Sequence, residues 1–225
     1  MQRMVLSLDK DLLVAYLRHQ LDSLFPDGLD SAEIGNHVGQ VLEKLEYCIS
    51  KIDIRYFWTA SKAPYFNHLN SDQYSMFLYI LSNTLHKNGA DIRLCEKVFY
   101  LNKQMHGIDV FYEVDLPDIF CFSHCTGTVL GRARYSDYFL IYQNCTIGAG
   151  REAGSVGKNE YPDLGKFVSV YRGGAILGRC RIGDNCKISA DSSILDEDLE
   201  ANKIYIGTPR GFLVKENRHP DPIWI

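Results

Sequence analysis

Over roughly the first 107 residues, apolar positions recur at spacings of three and four, the period of helices that bury one face. One helix is predicted from near Asp9, carrying Leu12, Leu13, Tyr16, Leu17 and Leu21 and closed by Pro26. A second runs from Ser31, which reads as its N-cap, with Ile34, Val38, Val41, Leu42, Leu45 and Ile49 on one face. A third starts near Ser71, includes Met76, Phe77, Ile80, Leu81 and Leu85, and ends at Gly89 as a C-terminal cap. A fourth covers about 91 to 106 and stops at Gly107. The aromatic-rich segment from Ile54 to Asn70 shows no assignable period.

Past Gly107 the period changes. Ile108–Val114 reads as a linking strand, and then an aliphatic residue stands at every sixth position from Leu164 through Val170, Ile176, Ile182 and Ile188 to Ile194. Tyr135, Ile141 and Ile147 give earlier steps of the same length. A second ladder of small or compact residues follows at Val168, Gly174, Cys180, Cys186 and Ser192. Six is neither the helix nor the strand period; it is the period of a solenoid in which three flat segments make one triangular turn. The predicted fold is therefore α+β, with a helical domain over 1–107, a left-handed parallel β-helix over 108–215, and a polar tail over 216–225 that is either mobile or docked. The stretch from Gly148 to Asp163, with Gly150, Gly154 and Gly157, interrupts the ladder and reads as a loop pushed out of the coil. Such loops on rigid scaffolds often carry sites, and this scaffold is associated with acyl transfer.

Composition narrows the choice little. A formal charge of −4 over 225 residues leaves no basic footprint for nucleic acid. No apolar run approaches a membrane span, and Asp9 and Lys10 interrupt what would be the core of a signal peptide, so a cytoplasmic location is expected. Seven cysteines without paired CxxC spacing fit a reducing compartment rather than a disulfide framework. Cys121, His124 and Cys125 are close together, yet no second ligand pair accompanies them, so no metal is expected.

Three motifs carry a more specific reading: His124-Cys125-Thr126-Gly127 followed by Val129-Leu130-Gly131; Ile141-Tyr142-Gln143-Asn144-Cys145-Thr146-Ile147-Gly148; and Gly207-Thr208-Pro209. Together with the ungapped run from Pro162 to Ser192 and the Asp72-Gln73-Tyr74-Ser75 segment, the chain resembles serine acetyltransferases of the hexapeptide-repeat acyltransferase family over about residues 70 to 215. The resemblance implies acetyl-CoA as donor and His124 as general base. A histidine near its ordinary pKa can take the proton of an attacking hydroxyl or amine at neutral pH. It also implies a carboxylate upstream to orient that base. Asp115 and Asp118 are the candidates, although Asp115 is about one coil closer to His124 than the family spacing, and either residue reads equally as a solvated turn.

The acceptor side departs from the family. Glu160-Tyr161-Pro162 replaces Arg-His-Pro, Ser123 replaces the Asp before the base, and His68 stands where the family has an acidic contact. A guanidinium would hold an amino-acid carboxylate, whereas Glu160 would repel it. Glu160, Tyr161, Gln143 and His68 are thus candidate acceptor contacts, and an uncharged or amino-bearing sugar, free or nucleotide-linked, fits better than serine. The bland alternative is that Glu160 is a surface charge. For coenzyme A, the resemblance implies Arg172, Lys187 and Ala190, with Arg179, Arg210 and Lys215 as further basic candidates. It also implies a homotrimer or a dimer of trimers with sites between subunits. The competing readings are serine O-acetyltransferase itself and, from another class, a non-catalytic solenoid serving assembly.

Overall fold

The structure is a computed structural model that describes residues 3–150 and 160–225. Strand β1 (Val5–Leu6) precedes helices α1 (Lys10–Leu24) and α2 (Ile34–Ile49); a 3-10 turn (Arg55–Phe57) and β2 (Tyr65–Phe66) lead to α3 (Ser71–Lys87) and α4 (Ile92–His106). There follow β3 (Asp109–Val110), β4 (Phe120–Phe122), β5 (Val129–Leu130), β6 (Phe139–Ile141), β7 (Thr146–Gly148), β8 (Asp163–Leu164), β9 (Ser169–Val170) and β10 (Ala175–Leu177). β11 (Arg181–Ile182), β12 (Lys187–Ile188), β13 (Ser193–Leu195) and a closing hairpin of β14 (Lys203–Thr208) and β15 (Gly211–Glu216) complete the chain.

The helices start where local chemistry satisfies their free N–H groups. Asp9 caps α1 by accepting from the Leu12 N–H, and Asn70 caps α3 through Gln73. Gly107, at φ 66°, ends α4 in the left-handed conformation. Ser31 is not the cap of α2: that helix begins three residues later, and the Ser31 side chain is buried, donating to Asp22 and accepting from Arg18. The linking strand is also shorter than 108–114, because Tyr112 to Val114 turn back so that the Val114 N–H donates to Phe111 O (2.9 Å).

The solenoid is three-faced and parallel. One face stacks β3, β5, β7, β10 and β13; a second pairs β8 with β11; the third stacks β4, β6, β9, β12 and β14. Register pairs Ile176 with Ile194, Leu164 with Ile182 and Val170 with Ile188, so one turn takes eighteen residues. Ile147 pairs with Ile176, eleven residues beyond one turn. That insertion is the loop of the interrupted ladder, whose residues 151–159, Gly154 and Gly157 included, lie outside the described residues.

Every member of the aliphatic ladder is at most 2% exposed, and the second ladder is buried beside it. Burying one such side chain contributes about 1.5–3 kcal/mol, so the stack is the main stabiliser of the coil. The chain turns its corners through left-handed residues three positions before an inward one: Asn144, Phe167, Gly173, Asn185 and Asp191 precede Ile147, Val170, Ile176, Ile188 and Ile194. Asn, Asp and Gly tolerate that conformation best.

Helices and coil share one core. Tyr79 of α3 meets Phe120 and Phe122 edge-on, and the Cys48 thiol of α2 donates to Phe120 O at 3.1 Å. The tail docks: the Asp53 N–H donates to Ile223 O, the Ile225 N–H to Lys51 O, and the Trp224 ring lies edge-on to Tyr138. Among the described residues no helix is long and apolar enough to cross a membrane, and no cluster of His, Cys, Asp or Glu is arranged for a metal ion.

Candidate active site

His124 lies in the turn between β4 and β5, itself left-handed at φ 51° and exposed to solvent. The turn is fixed from several directions. The Gly127 N–H donates to Gly107 O, the Asn144 N–H to Thr126 O, and the Cys125 thiol to the Ser75 hydroxyl. Gly127, at φ 76°, has no room for a side chain: a Cβ there would lie 2.2 Å from Asn144 Oδ1 in the coil above.

A contact to the His124 main chain comes from α3. The backbone N–H of His124 donates to Asp72 Oδ1 at 3.0 Å. Asp72 is 6% exposed, and burial pushes its carboxyl above the usual range, an effect only partly offset by that hydrogen bond and by the His124 charge. Tyr56 stands close enough that, after its own burial, the Asp72 charge helps to push its phenol up.

From His124 a cleft of about 460 Å³ runs along the corner that follows the third face, past Tyr142, Gln143, Tyr171, Arg172, Ser189 and Ala190. Tyr142 and Tyr171 stack with centroids 5.3 Å apart and planes at 16°. The Tyr171 hydroxyl donates to Asp221 Oδ2 of the tail at 2.5 Å, and Asp221 is itself buried. Burial pushes the Tyr142 phenol up, an effect that the neighbouring Ser123 partly offsets. Gln143 Oε1 is buried with no hydrogen-bond partner among the described residues. Arg172 is exposed and pairs with Asp191 at 3.1 Å.

Of the residues singled out from the sequence, His124, Gln143, Arg172 and Ala190 come together here. Asp115 and Asp118 do not. Asp115 forms an ion pair with Lys87 in the last turn of α3 at 2.7 Å, which holds its carboxyl below the usual range, and Asp118 borders the same end beside Lys44 and Asn83. Asp72, against His124, is fifteen residues away on that helix, about 22 Å at the helical rise. Glu160 and Arg179 pair with each other at 3.7 Å. Glu160 stands just before β8 and Arg179 just before β11, a different corner of the prism, so in one chain they and Tyr161 stand apart from the His124 cleft. Lys187 sits within β12, Arg210 at the hairpin turn and Lys215 on exposed β15, none of them lining the cleft. His68 is engaged by Ser7: its Nδ1 is 2.8 Å from the Ser7 hydroxyl, which also accepts from its backbone N–H.

Sequence reasoning missed Asp72 as the partner of His124, and it missed Tyr171 and Asp221 as part of the cleft wall. Asp72 had left a signal in the family-like segment Asp72-Gln73-Tyr74-Ser75, and Asp221 had left none. Tyr171 could have been found by adding the coil period to the motif containing Tyr142 once the loop insertion was removed.

No family model matches the chain. The serine acetyltransferase of Synechococcus elongatus is 29% identical over 126 residues, covering 55% of this chain and 50% of that protein. That of Staphylococcus epidermidis is 24% identical over 163 residues, covering 67% of this chain and 74% of the relative. The chain thus spans half the length of the first relative and about three quarters of the second. Among solved structures, the Neisseria gonorrhoeae serine acetyltransferase matches with a TM-score of 0.68 at 21% identity, over 96% of this chain and 82% of that one. The Vibrio cholerae enzyme matches with a TM-score of 0.67 at 18% identity, over 94% and 81%. In sequence and in fold the chain is serine acetyltransferase-like.

Proposed function

We propose that this chain transfers the acetyl group of acetyl-CoA to the hydroxyl of a small acceptor, with His124 as general base and serine as the first acceptor to test. The observation that carries the reading is a solvent-facing histidine at one end of a cleft that continues along the coil corner past Tyr142, Tyr171, Arg172 and Ala190. Serine enters through the relatives, which are serine acetyltransferases.

In this mechanism the acceptor hydroxyl loses its proton to His124 as its oxygen attacks the thioester carbonyl. The tetrahedral oxyanion needs a hydrogen-bond donor; the Ser123, His124, Thr126, Gly127 and Thr128 N–H groups of the turn are already engaged. Collapse breaks the carbon–sulfur bond, and the departing thiolate takes the proton from the imidazolium, leaving an acetyl ester and coenzyme A. Gln143 Oε1, buried and without a hydrogen-bond partner among the described residues, is an acceptor available to an amide N–H of the pantetheine arm, and Arg172 supplies positive charge farther along. Lys187, Arg210 and Lys215 meet coenzyme A only outside the cleft as it stands in one chain.

The second reading, a sugar acceptor, is favoured by Glu160, an anion where the family places a guanidinium. Because Glu160 and His124 occupy different corners, Glu160 bears on the acceptor only if a neighbouring copy brings its corner to the cleft. A left-handed winding of the coil and a trimer, alone or doubled, complete this proposal, as does the division into a helical unit over 1–107 and a solenoid over 108–215.

The test is thiol release from acetyl-CoA with serine and, in parallel, a panel of amino and neutral sugars. We expect turnover with serine, and His124→Ala to lower kcat at least 100-fold while coenzyme A still binds. A fully active variant would overturn the base assignment. Turnover with a sugar only would replace the acceptor, and none with any acceptor would favour the assembly module.

A further inference from the structure

Asp72 combines features that its own helix does not explain. The N-cap of α3 is Asn70, whose side chain already accepts from Gln73, so Asp72 is not needed as a cap. Its Oδ1 points instead to the main chain of His124, fifty-two residues ahead. Among the described residues no Lys or Arg compensates the buried carboxylate; the favourable influences on it are the His124 N–H and the His124 charge. A buried carboxylate without a Lys or Arg beside it is costly, and such groups concentrate at functional sites.

His124 is unusual in a matching way. Its left-handed backbone lies outside the corner pattern, since the residue three positions on is Gly127 rather than an inward-facing side chain. A non-glycine residue in that conformation persists only where surrounding contacts hold it there. The hydrogen bond to Asp72 acts on the peptide that sets this conformation.

We propose that Asp72 is a positioning residue, which fixes the His124 backbone in its left-handed turn and thereby aims the imidazole into the cleft. The helical half then supplies the carboxylate that the sequence led us to seek upstream of the base. The catalytic part of this inference rests on His124 being the base; the structural part does not.

Two variants and two readouts separate these parts. Asp72→Asn keeps an oxygen that can accept the His124 N–H and removes the charge, whereas Asp72→Ala removes the acceptor. Hydrogen exchange at the His124 amide, measured on the full-length chain, should be protected in the parent and in the Asn variant and at least tenfold faster in the Ala variant. With acetyl-CoA and serine, the Ala variant should lose at least tenfold in kcat with KM for acetyl-CoA within twofold, and the Asn variant should stay within threefold of the parent. Unchanged exchange in Asp72→Ala, or an Asn variant as impaired as the Ala variant, would overturn positioning through this hydrogen bond. If the Ala variant does not fold, the Asn variant decides alone: loss of protection at His124 in a folded protein sinks the proposal. Faster exchange in the Ala variant, together with a His124→Ala protein that stays active, would leave the positioning intact and refute the base assignment instead.

Discussion

At the scale of single residues, the helical half contains a group whose titration should be visible in stability. His106, at the end of α4, has its Nδ1 2.8 Å from Asn102 Oδ1, and Asn102 Nδ2 donates to Ser75 O, so the oxygen is the atom facing the ring. Nδ1 therefore carries the hydrogen of a neutral imidazole. Burial pushes its pKa down to about 4. As pH falls below the ordinary value near 6.5, the unfolded chain takes up a proton that the folded chain refuses. The stabilisation is complete above that value, drains away as pH falls towards 4, and levels off below it. Allowing for partial solvent screening, the loss is roughly 2 kcal/mol. His106→Gln should flatten the dependence of urea midpoint on pH between 6.5 and 4; an unaltered slope would assign the effect to another group. What could be read at this scale was His124 as a candidate, because its motif is local. The Asp72 contact could not be, because the bond from His124 to Asp72 spans fifty-two residues and nothing in the spacing of Asp115 or Asp118 announces the Lys87 ion pair that engages Asp115.

At the scale of elements, the coil was legible because its period is imposed by geometry. An inward residue recurs once per flat segment, and all six aliphatic positions from Leu164 to Ile194 are buried. Ile176, fully buried between Ile147 and Ile194 in register, makes the stack testable. Ile176→Ala should cost about 2–5 kcal/mol, measured by chemical denaturation, because the coils above and below are hydrogen-bonded and close the space only in part. A cost below 1 kcal/mol would mean that the ladder is less tightly packed than the register implies. The tail was not legible by the same means. Its residues show no period, and its position depends on single contacts made by Asp221, Ile223 and Trp224 with segments distant in sequence. The start of α2 was misread for a related reason: Ser31 is a good cap by type, but its hydroxyl is bound to Asp22 and Arg18.

At the scale of the molecule, the helical and solenoid halves pack against each other. α3 buries every residue from Asp72 to Leu85, which a helix can do only when it is covered on all sides. One side is covered by α2 and α4, and another by the aromatic residues of β4. The site draws on the same union, since the turn that carries His124 is tied to α3 through Asp72 and Ser75. Unfolding the helices would therefore expose β4, the end strand of the third face, and release the turn together. We expect loss of helix, followed at 222 nm, and the change in tryptophan emission from Trp58 and Trp224 to coincide along a urea titration, as they do for a single cooperative unit. The fragment 108–225, stripped of the helices over Phe120 and Phe122, should not reach the parent's stability. Two separated transitions, or a fragment as stable as the whole chain, would show that the coil stands alone and that the contact between Asp72 and His124 joins two independently stable bodies.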